Sequence, residues 1–551
     1  MRGTSAHRWL WAVVASAAVG LLSSAPGGAQ PTAAVELFPT SDRCMACHNG
    51  LRSAKGEDIS IGSSWQSTMM ANSARDPYWQ AAVRRETLDH PTARAAIEDE
   101  CSKCHMPMAR FEAHSARQLG TIFRNFPGAF APAAPTREQQ LSADGVACGI
   151  CHQIRADGLG TRQSFVGGFS VDTTRPWGER EVFGPVSVDP GRTRVMQSAA
   201  RLRPIRSKHL NTAEFCATCH TLITHSLDAQ GSVVGEFPEQ VPYLEWQHSS
   251  YAPRRQCQSC HMVTELQPAA FSSVLPQPRQ GFARHVFRGG NFLVLRMLDQ
   301  HAGALGVTAR PQDFAATIAG TRSHLEQSSA KLTVHCSPVR RGQLNATVTI
   351  QSHAGHKLPT AYPSRRVWIH LRVVDPTGKT LFESGALDSD GAIVGNANDA
   401  TGDRFEPHYQ RIQSPDQVQI YEAILGAPDG TVTTGLLKAT QYLKDNRILP
   451  LGFDAKTASA EIAVHGGAVR DATFRAGSDQ THYRVNVGGA PGPLRVEVEL
   501  LYQPIGYRWA HNLAQQPAPE TNRFIRFYQA LSQASSVVLA RAVAVAPTQA
   551  R

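Results

Sequence analysis

The sequence predicts an α+β chain: an irregular, mainly α first half, an antiparallel β-sandwich-like second half and a C-terminal helix. Three observations predict it. The pattern Cys-x-x-Cys-His occurs five times between Cys44 and His261. Beyond about residue 330, short apolar alternations separated by Gly- and Asp-containing turns take over. A chain of 551 residues also exceeds what one hydrophobic core organises. With 44 Gly, 34 Pro and only 7% aromatic residues, the composition favours turns and long ordered connections over a helix-rich barrel.

The chain opens with Arg2 and Arg8, an apolar run over 9–22 and a small-residue stretch over 23–30. This is the layout of a secretory signal peptide, assigned to residues 1–30. The run is shorter than the about 20 residues that span a bilayer, and no later segment of that length is free of charge. The expectation is export to the periplasm or an equivalent space, with no transmembrane segment in the mature chain. The formal charge is +10, or +8 without the two leader arginines. Its Lys and Arg are scattered, apart from pairs such as Arg254-Arg255 and Arg365-Arg366, so nucleic acid is excluded as a partner.

Ten of the eleven cysteines fall in the repeated pattern: Cys44, Cys47, His48; Cys101, Cys104, His105; Cys148, Cys151, His152; Cys216, Cys219, His220; and Cys257, Cys260, His261. Two thiols three positions apart can add to the two vinyl groups on one porphyrin edge, and the adjoining imidazole then reaches the iron. Disulfides, zinc sites and thiol redox pairs require no histidine directly after the second cysteine five times over. The pattern predicts five covalently attached haem c groups in a domain spanning 31–286, whose propionates offset much of the positive charge. Crowded apolar macrocycles replace much of a conventional core, so short helices joined by long ordered loops are expected. Cys336 stands apart and reads as a buried free thiol.

The second axial ligand of each iron separates an electron carrier from an open, substrate-binding centre. His209, seven residues before Cys216, and His285, in the run His285-Val286-Phe287-Arg288-Gly289-Gly290-Asn291, are the leading candidates. His90, His114 and His225 lie near motifs and compete with loop-capping roles. Met69, on an apparently helical segment after the first motif, offers a thioether, though packing on a porphyrin suits it better. Met106, Met108 and Met262 trail their motifs too closely to reach the opposite iron face.

Residues 287–329 read as a helical connection and 330–510 as the β-sandwich-like domain, with strands over 331–335, 344–351, 367–374, 418–424 and 494–502. Residues 511–551 form a C-terminal helix and tail, the amphipathic helix covering 520–542. The loop Ser352-His353-Ala354-Gly355-His356-Lys357-Leu358-Pro359-Thr360 can present His356 to the first half as an iron ligand that clamps the two halves together. The segment Asp388-Ser389-Asp390-Gly391, with Asn396, Asn398, Asp399 and Asp403, could hold calcium, against the simpler reading of a polar turn.

Several stretches resemble the bacterial multihaem c-type cytochromes related to the tetrahaem cytochrome of ammonia oxidisers and to hydroxylamine oxidoreductase. They are Asp144-Gly145-Val146-Ala147-Cys148, Glu239-Gln240-Val241-Pro242-Tyr243-Leu244-Glu245-Trp246 and Cys257-Gln258-Ser259-Cys260-His261-Met262. The second half is similar to a domain recurrently appended in that group, through Gly355-His356-Lys357-Leu358-Pro359-Thr360, Glu406-Pro407-His408-Tyr409, Gln417-Val418-Gln419-Ile420-Tyr421-Glu422 and Lys444-Asp445-Asn446-Arg447-Ile448-Leu449-Pro450. The resemblance implies a pentahaem wire with mostly bis-histidine irons. Pentahaem nitrite reductases share a catalytic motif ending in Lys, whereas all five motifs here end in His. The functional expectation is periplasmic electron transfer with periplasmic or membrane redox partners. The alternative is a haem-based oxidoreductase acting on a small nitrogen or sulfur oxyanion through one open-coordinated haem.

Overall fold

Each Cys-x-x-Cys-His motif sits at a helical turn, because residues i and i+3 of a helix share a face and the two thiols must point the same way. The computed structural model describes residues 36–128 and 134–547; the segment read as a signal peptide lies outside them. The motif-bearing helices are Ser41–Met45, Arg94–His105, Cys148–Cys151, Ala213–His220 and Cys257–His261. In the first, Cys47 and His48 lie just past the helix, and His48 N–H donates to the Cys44 carbonyl at 3.0 Å. The helix Pro77–Asp89 starts on Asp76, whose carboxylate accepts from Tyr78 and Trp79 N–H, with Pro77 in its first turn. Before the third motif, Gly145 adopts φ +63°, and a Cβ there would meet the Ala71 carbonyl at 2.7 Å.

This half also holds strands that the motif pattern did not announce. They are a parallel pair, Glu181–Gly184 with Arg203–Arg206, and a hairpin of Leu222–Leu227 with Val233–Gln240. The 287–329 connection is helical: Phe292–Gln300, Ala302–Leu305 and Pro311–Ser328. Phe292, Leu293, Met297 and Leu298 of its first helix are fully buried.

Two sheets follow. The four-stranded sheet runs in the order Arg411–Ile412, Ser478–Asn486, Gln343–Ser352, Ala330–Cys336. The other orders Val432–Thr433, Ile420–Gly426, Arg366–Val374, Leu494–Gln503 and Val537–Ala546, with Thr380–Ser384 and Gln441–Asp445 as side pairings. Pairing is antiparallel, as at Val498 opposite Leu371 and Thr481 opposite Val348, except for the short parallel match of Arg411 with His482. Inward residues of both sheets, Leu344, Val348 and Ile350 from one and Ile369, Leu371, Val373, Val496 and Val498 from the other, form one apolar cluster. The outer face of Arg366–Val374 is covered too: Trp368 packs with Ile393, Val418, Ile420 and Leu501. All five anticipated strands are present within one to two residues.

The C-terminus departs from expectation. The helix is Pro519–Leu531; after a short turn the chain becomes a strand, Val537–Ala546, paired along Leu494–Tyr502. Burying Val537 and Leu539 against the sheet and satisfying its backbone there outweighs the amphipathic pattern that suggested a longer helix. The helix Pro519–Leu531 packs on Pro77–Asp89 from the first half. Glu520 pairs with Arg84 at 2.8 Å, Phe524 meets Tyr78 with ring centroids 5.2 Å apart, and Arg523 donates to Gln80.

The oxygen-rich loop is self-satisfied. Asp388 Oδ1 accepts from Asp390 and Ala392 N–H, Asn396 caps Asn398, and buried Asp399 is held by Arg366 at 2.8 Å and by Ile393 N–H. These oxygens serve the fold, and calcium is not carried forward.

Candidate cofactor cavity

All ten motif cysteines and all five motif histidines line one connected cavity of about 1550 Å³. That exceeds the roughly 300–1,000 Å³ of a site for a single small ligand. Its walls are largely apolar, contributed by residues such as Trp65, Trp79, Ile97, Ile150, Phe169, Phe183 and Leu295. The motif thiols are free, and they meet in pairs across motifs. Cys44 lies against Cys148, Cys104 against Cys219, and Cys216 against Cys257. Cys151 is close enough to Cys216 and Cys219 to raise both thiols by its charge. The five motifs therefore adjoin in the order first, third, fourth, with the second and fifth both beside the fourth.

Four of the motif histidines are oriented alike. The Nδ1–H donates to a backbone carbonyl: His48 to Phe271 at 2.6 Å, His105 to Ser73 at 3.0 Å, His152 to Phe183 at 2.7 Å, and His261 to Arg288. Such a bond fixes the tautomer and leaves the Nε2 lone pair free for a metal. His105 is further held by Trp79, stacked at 4.1 Å with an interplanar angle of 4°. His220 has no Nδ1 partner of this kind among the described residues. Burial pulls His105 and His220 down to about 4 and His152 and His261 below the ordinary imidazole value, so the rings stay neutral, the form that binds metal.

Two motif histidines face a second imidazole across a gap. His152 and His285 have ring centroids 6.3 Å apart and planes 22° from parallel; His261 and His356 are also 6.3 Å apart, at 18°. A metal bonded to two imidazole nitrogens at about 2.0 Å each separates the ring centres by roughly 6 Å. The outer nitrogens are secured as well, His285 Nδ1–H on Ala283 O at 3.0 Å and His356 Nδ1–H on Lys357 O at 2.9 Å. Burial lowers His356 and takes His285 down to about 3. Paired thiols, a free Nε2 and an iron-wide gap together fit haem c.

The other expected ligands are placed differently. Both ring nitrogens of His209 are occupied, Nδ1 by Ser207 Oγ at 2.6 Å and Nε2 by the Ile154 carbonyl at 2.8 Å, so it is withdrawn as a ligand. His114 is withdrawn too: its Nε2 is held by Asp99 at 2.9 Å, in a cluster with Arg110. His225 lies on the cavity wall with Nε2 3.7 Å from Glu236. Met69 lines the cavity while packing against the main core. His90 is buried, with Nδ1 3.1 Å from the Asp228 carbonyl and Nε2 without a partner. Sequence reasoning missed His324, which lines the cavity from the helix Pro311–Ser328 with its ring 6.0 Å from His261.

The loop that carries His356 is anchored by a buried charge network, also missed. Glu245 Oε2, from the first half, accepts from Lys357 N–H at 3.1 Å and Thr360 Oγ1 at 2.5 Å. Lys357 Nζ meets Asp445 at 2.7 Å, and Arg447 joins both acids, at 2.7 Å to Asp445 and 3.0 Å to Glu245. Two cations thus balance two anions in the interior.

His408, Asp471 and Asp479 form a buried trio in the β-sandwich. The Gln419 and Asn446 amides each donate to His408 Nδ1 at 3.0 Å. That leaves the proton on Nε2, which faces Asp471 at 3.1 Å. The trio is a closed hydrogen-bond network, not a cation site.

No family model matches the chain, and no curated protein matches it. One solved structure has a similar fold. The penta-haem cytochrome c552 from Thermochromatium tepidum aligns over 92% of this chain and 99% of that one, with a TM-score of 0.52 and 16% identity. The two chains share a fold. Among the described residues no helix is long and apolar enough to cross a membrane.

Proposed function

We propose that this protein is an exported electron carrier holding five covalently bound haem c groups within residues 31–286, with a β-domain that completes the coordination of one of them. The observation that carries the reading is the cavity lined by all fifteen motif residues, in which His285 and His356 stand an iron's width from His152 and His261. Haem supplies reversible one-electron Fe(III)/Fe(II) chemistry. The protein's contribution is to bind, orient and dehydrate. The motif cysteines would attach the haem groups, and the carbonyl-anchored motif imidazoles would bind their iron. The apolar walls keep water from the centres.

The thiol contacts support a route first–third–fourth motif, branching to the second and fifth. Such a branch lets donor and acceptor engage different ends of the molecule, and the partners are other periplasmic or membrane redox proteins. Spectroelectrochemical titration of the purified protein tests the carrier reading. Reversible uptake of five electrons per chain is expected, and irreversible or smaller uptake contradicts it.

A second reading, turnover of a small nitrogen or sulfur oxyanion at an open iron, is favoured by His48, His105 and His220. Among the described residues, none of the three faces an imidazole at the spacing seen for the third and fifth motifs. Cyanide or nitrite binding to a high-spin haem tests it.

A further inference from the structure

The run from His285 to Asn291 does more than present His285. Its Arg288 carbonyl receives the His261 Nδ1–H, and three residues later Asn291 Oδ1 accepts from Arg365 Nη2 at 3.0 Å. Arg365 also donates through Nη1 to the Thr360 carbonyl at 3.1 Å. Both acceptors are neutral, and among the described residues no carboxylate pairs with this guanidinium. Through Asn291 and Thr360 it is tied both to the run whose Arg288 carbonyl holds His261 and to the loop of His356, which places it beside the fifth motif.

The neighbouring residue supplies a second, independent observation. A Cβ on Gly290 would land 2.3 Å from Tyr502 Oη. That hydroxyl belongs to a side chain only 2% exposed and has no hydrogen-bond partner. Strand register pairs Tyr502 with Val367 and Gln503 with Arg366, so Tyr502 and Arg365 lie at adjoining strand ends. Arg365, Tyr502, Gly290 and Asn291 all line the cavity. The guanidinium has only neutral hydrogen-bond acceptors, with the Asp76 carboxylate within electrostatic reach but outside ion-pair distance, and an unsatisfied buried hydroxyl near it is costly unless a partner supplies acceptor lone pairs.

We infer that Arg365 and Tyr502, seated on the Gly290-Asn291 turn, form a binding site for a monoanionic oxygen ligand beside the fifth motif. The planar fork of Arg365 suits two oxygens of one carboxylate or oxyanion, and Tyr502 Oη donates to the same group. Gly290 is required because any side chain there displaces the tyrosine. Two sources share this chemistry: a propionate of a bound haem and a small free oxyanion. The inference rests on the haem reading of the cavity.

The test uses the holoprotein as wild type, Arg365→Gln, Arg365→Lys and Tyr502→Phe, with haem content and circular dichroism checked first. Each is titrated with sodium nitrite while the Soret band and EPR spectrum are followed, and all haem midpoint potentials are then measured. If the ligand is a free oxyanion, nitrite perturbs one haem of the wild type. Arg365→Gln then weakens this at least about tenfold, Tyr502→Phe weakens it less, and Arg365→Lys retains part of it. If the ligand is a propionate, nitrite has no effect, but Arg365→Gln lowers the midpoint potential of one haem because a cation favouring the reduced state is lost, and Arg365→Lys restores most of the shift. Folded, fully haem-loaded Arg365→Gln with wild-type nitrite response and wild-type potentials overturns the inference. Wild-type protein without covalent haem overturns the underlying reading instead.

Discussion

Replacing Asp445 by Asn should destabilise the protein out of proportion to the single charge removed. In the wild type, burial pushes the Asp445 carboxyl up, but Arg447 and Lys357 outweigh it and hold the group well below the usual carboxylate range. Lys357 and Asp445 are completely inaccessible, and the Arg447 side chain is 5% exposed. The substitution leaves Lys357 and Arg447 facing Glu245 alone, a net buried positive charge. Breaking a buried pair in this way costs about 3–5 kcal/mol. Adding Lys357→Met removes the surplus cation and leaves the Arg447–Glu245 pair at 3.0 Å. The double variant should therefore recover more than half of the loss, since apolar replacement of a buried ion pair is often close to neutral. Guanidinium unfolding followed by far-ultraviolet circular dichroism measures both. A loss below about 1 kcal/mol for Asp445→Asn, or a double variant as unstable as the sum of its singles, would refute the claim that this network is a balanced buried cluster. The cluster also fixes the loop of His356, so the single variant should release that ligand in part of the population, seen as a high-spin contribution to the spectrum.

Three further outcomes are expected. His285→Ala and His356→Ala should each convert one low-spin haem to high spin without loss of covalent haem; an unchanged low-spin count for either contradicts its role. Glu239→Gln should flatten a pH dependence of stability. Burial, only partly offset by the Thr224 hydrogen bond, raises Glu239 to about 7 from an ordinary 4.5. The folded state therefore holds its proton more tightly, and the wild type should lose about 3 kcal/mol as pH rises from 4.5 to 7. Thermal melts across that range that are equally steep in both proteins contradict this. Trp368→Ala, which empties a fully buried site and strands the Gly385 carbonyl that accepts from Nε1 at 2.8 Å, should cost about 3–5 kcal/mol by chemical denaturation.

The motifs and the main strands were legible because each obeys a local rule. Cys-x-x-Cys-His is a spacing set by one helical turn, and Leu344, Val348 and Ile350 alternate as a half-buried strand must. The strand Ser478–Asn486 was not legible because two of its four inward positions are Asp479 and Thr481, polar residues that break the apolar alternation, and the Tyr421 hydroxyl that satisfies Asp479 lies 58 residues away in the chain. Second ligands were legible only as candidates. His285 and His209 look alike beside their motifs, and what separates them is long-range: His285 faces His152, whereas His209 spends both nitrogens on Ser207 and Ile154. His324 left no signal beyond a histidine on a helix, and Glu245 stood out only as part of a resembling stretch, its role hidden because its partners Lys357, Thr360 and Arg447 follow it by more than a hundred residues.

The intact mass of the purified chain under denaturing conditions tests the central claim most directly, since thioether-bound haem survives denaturation and any other occupant of the cavity does not. The account predicts a single species carrying the mass of five haems, with Cys336 alone still alkylatable. A chain with fewer haems, or one whose ten motif cysteines react as free thiols or as disulfides, would contradict it.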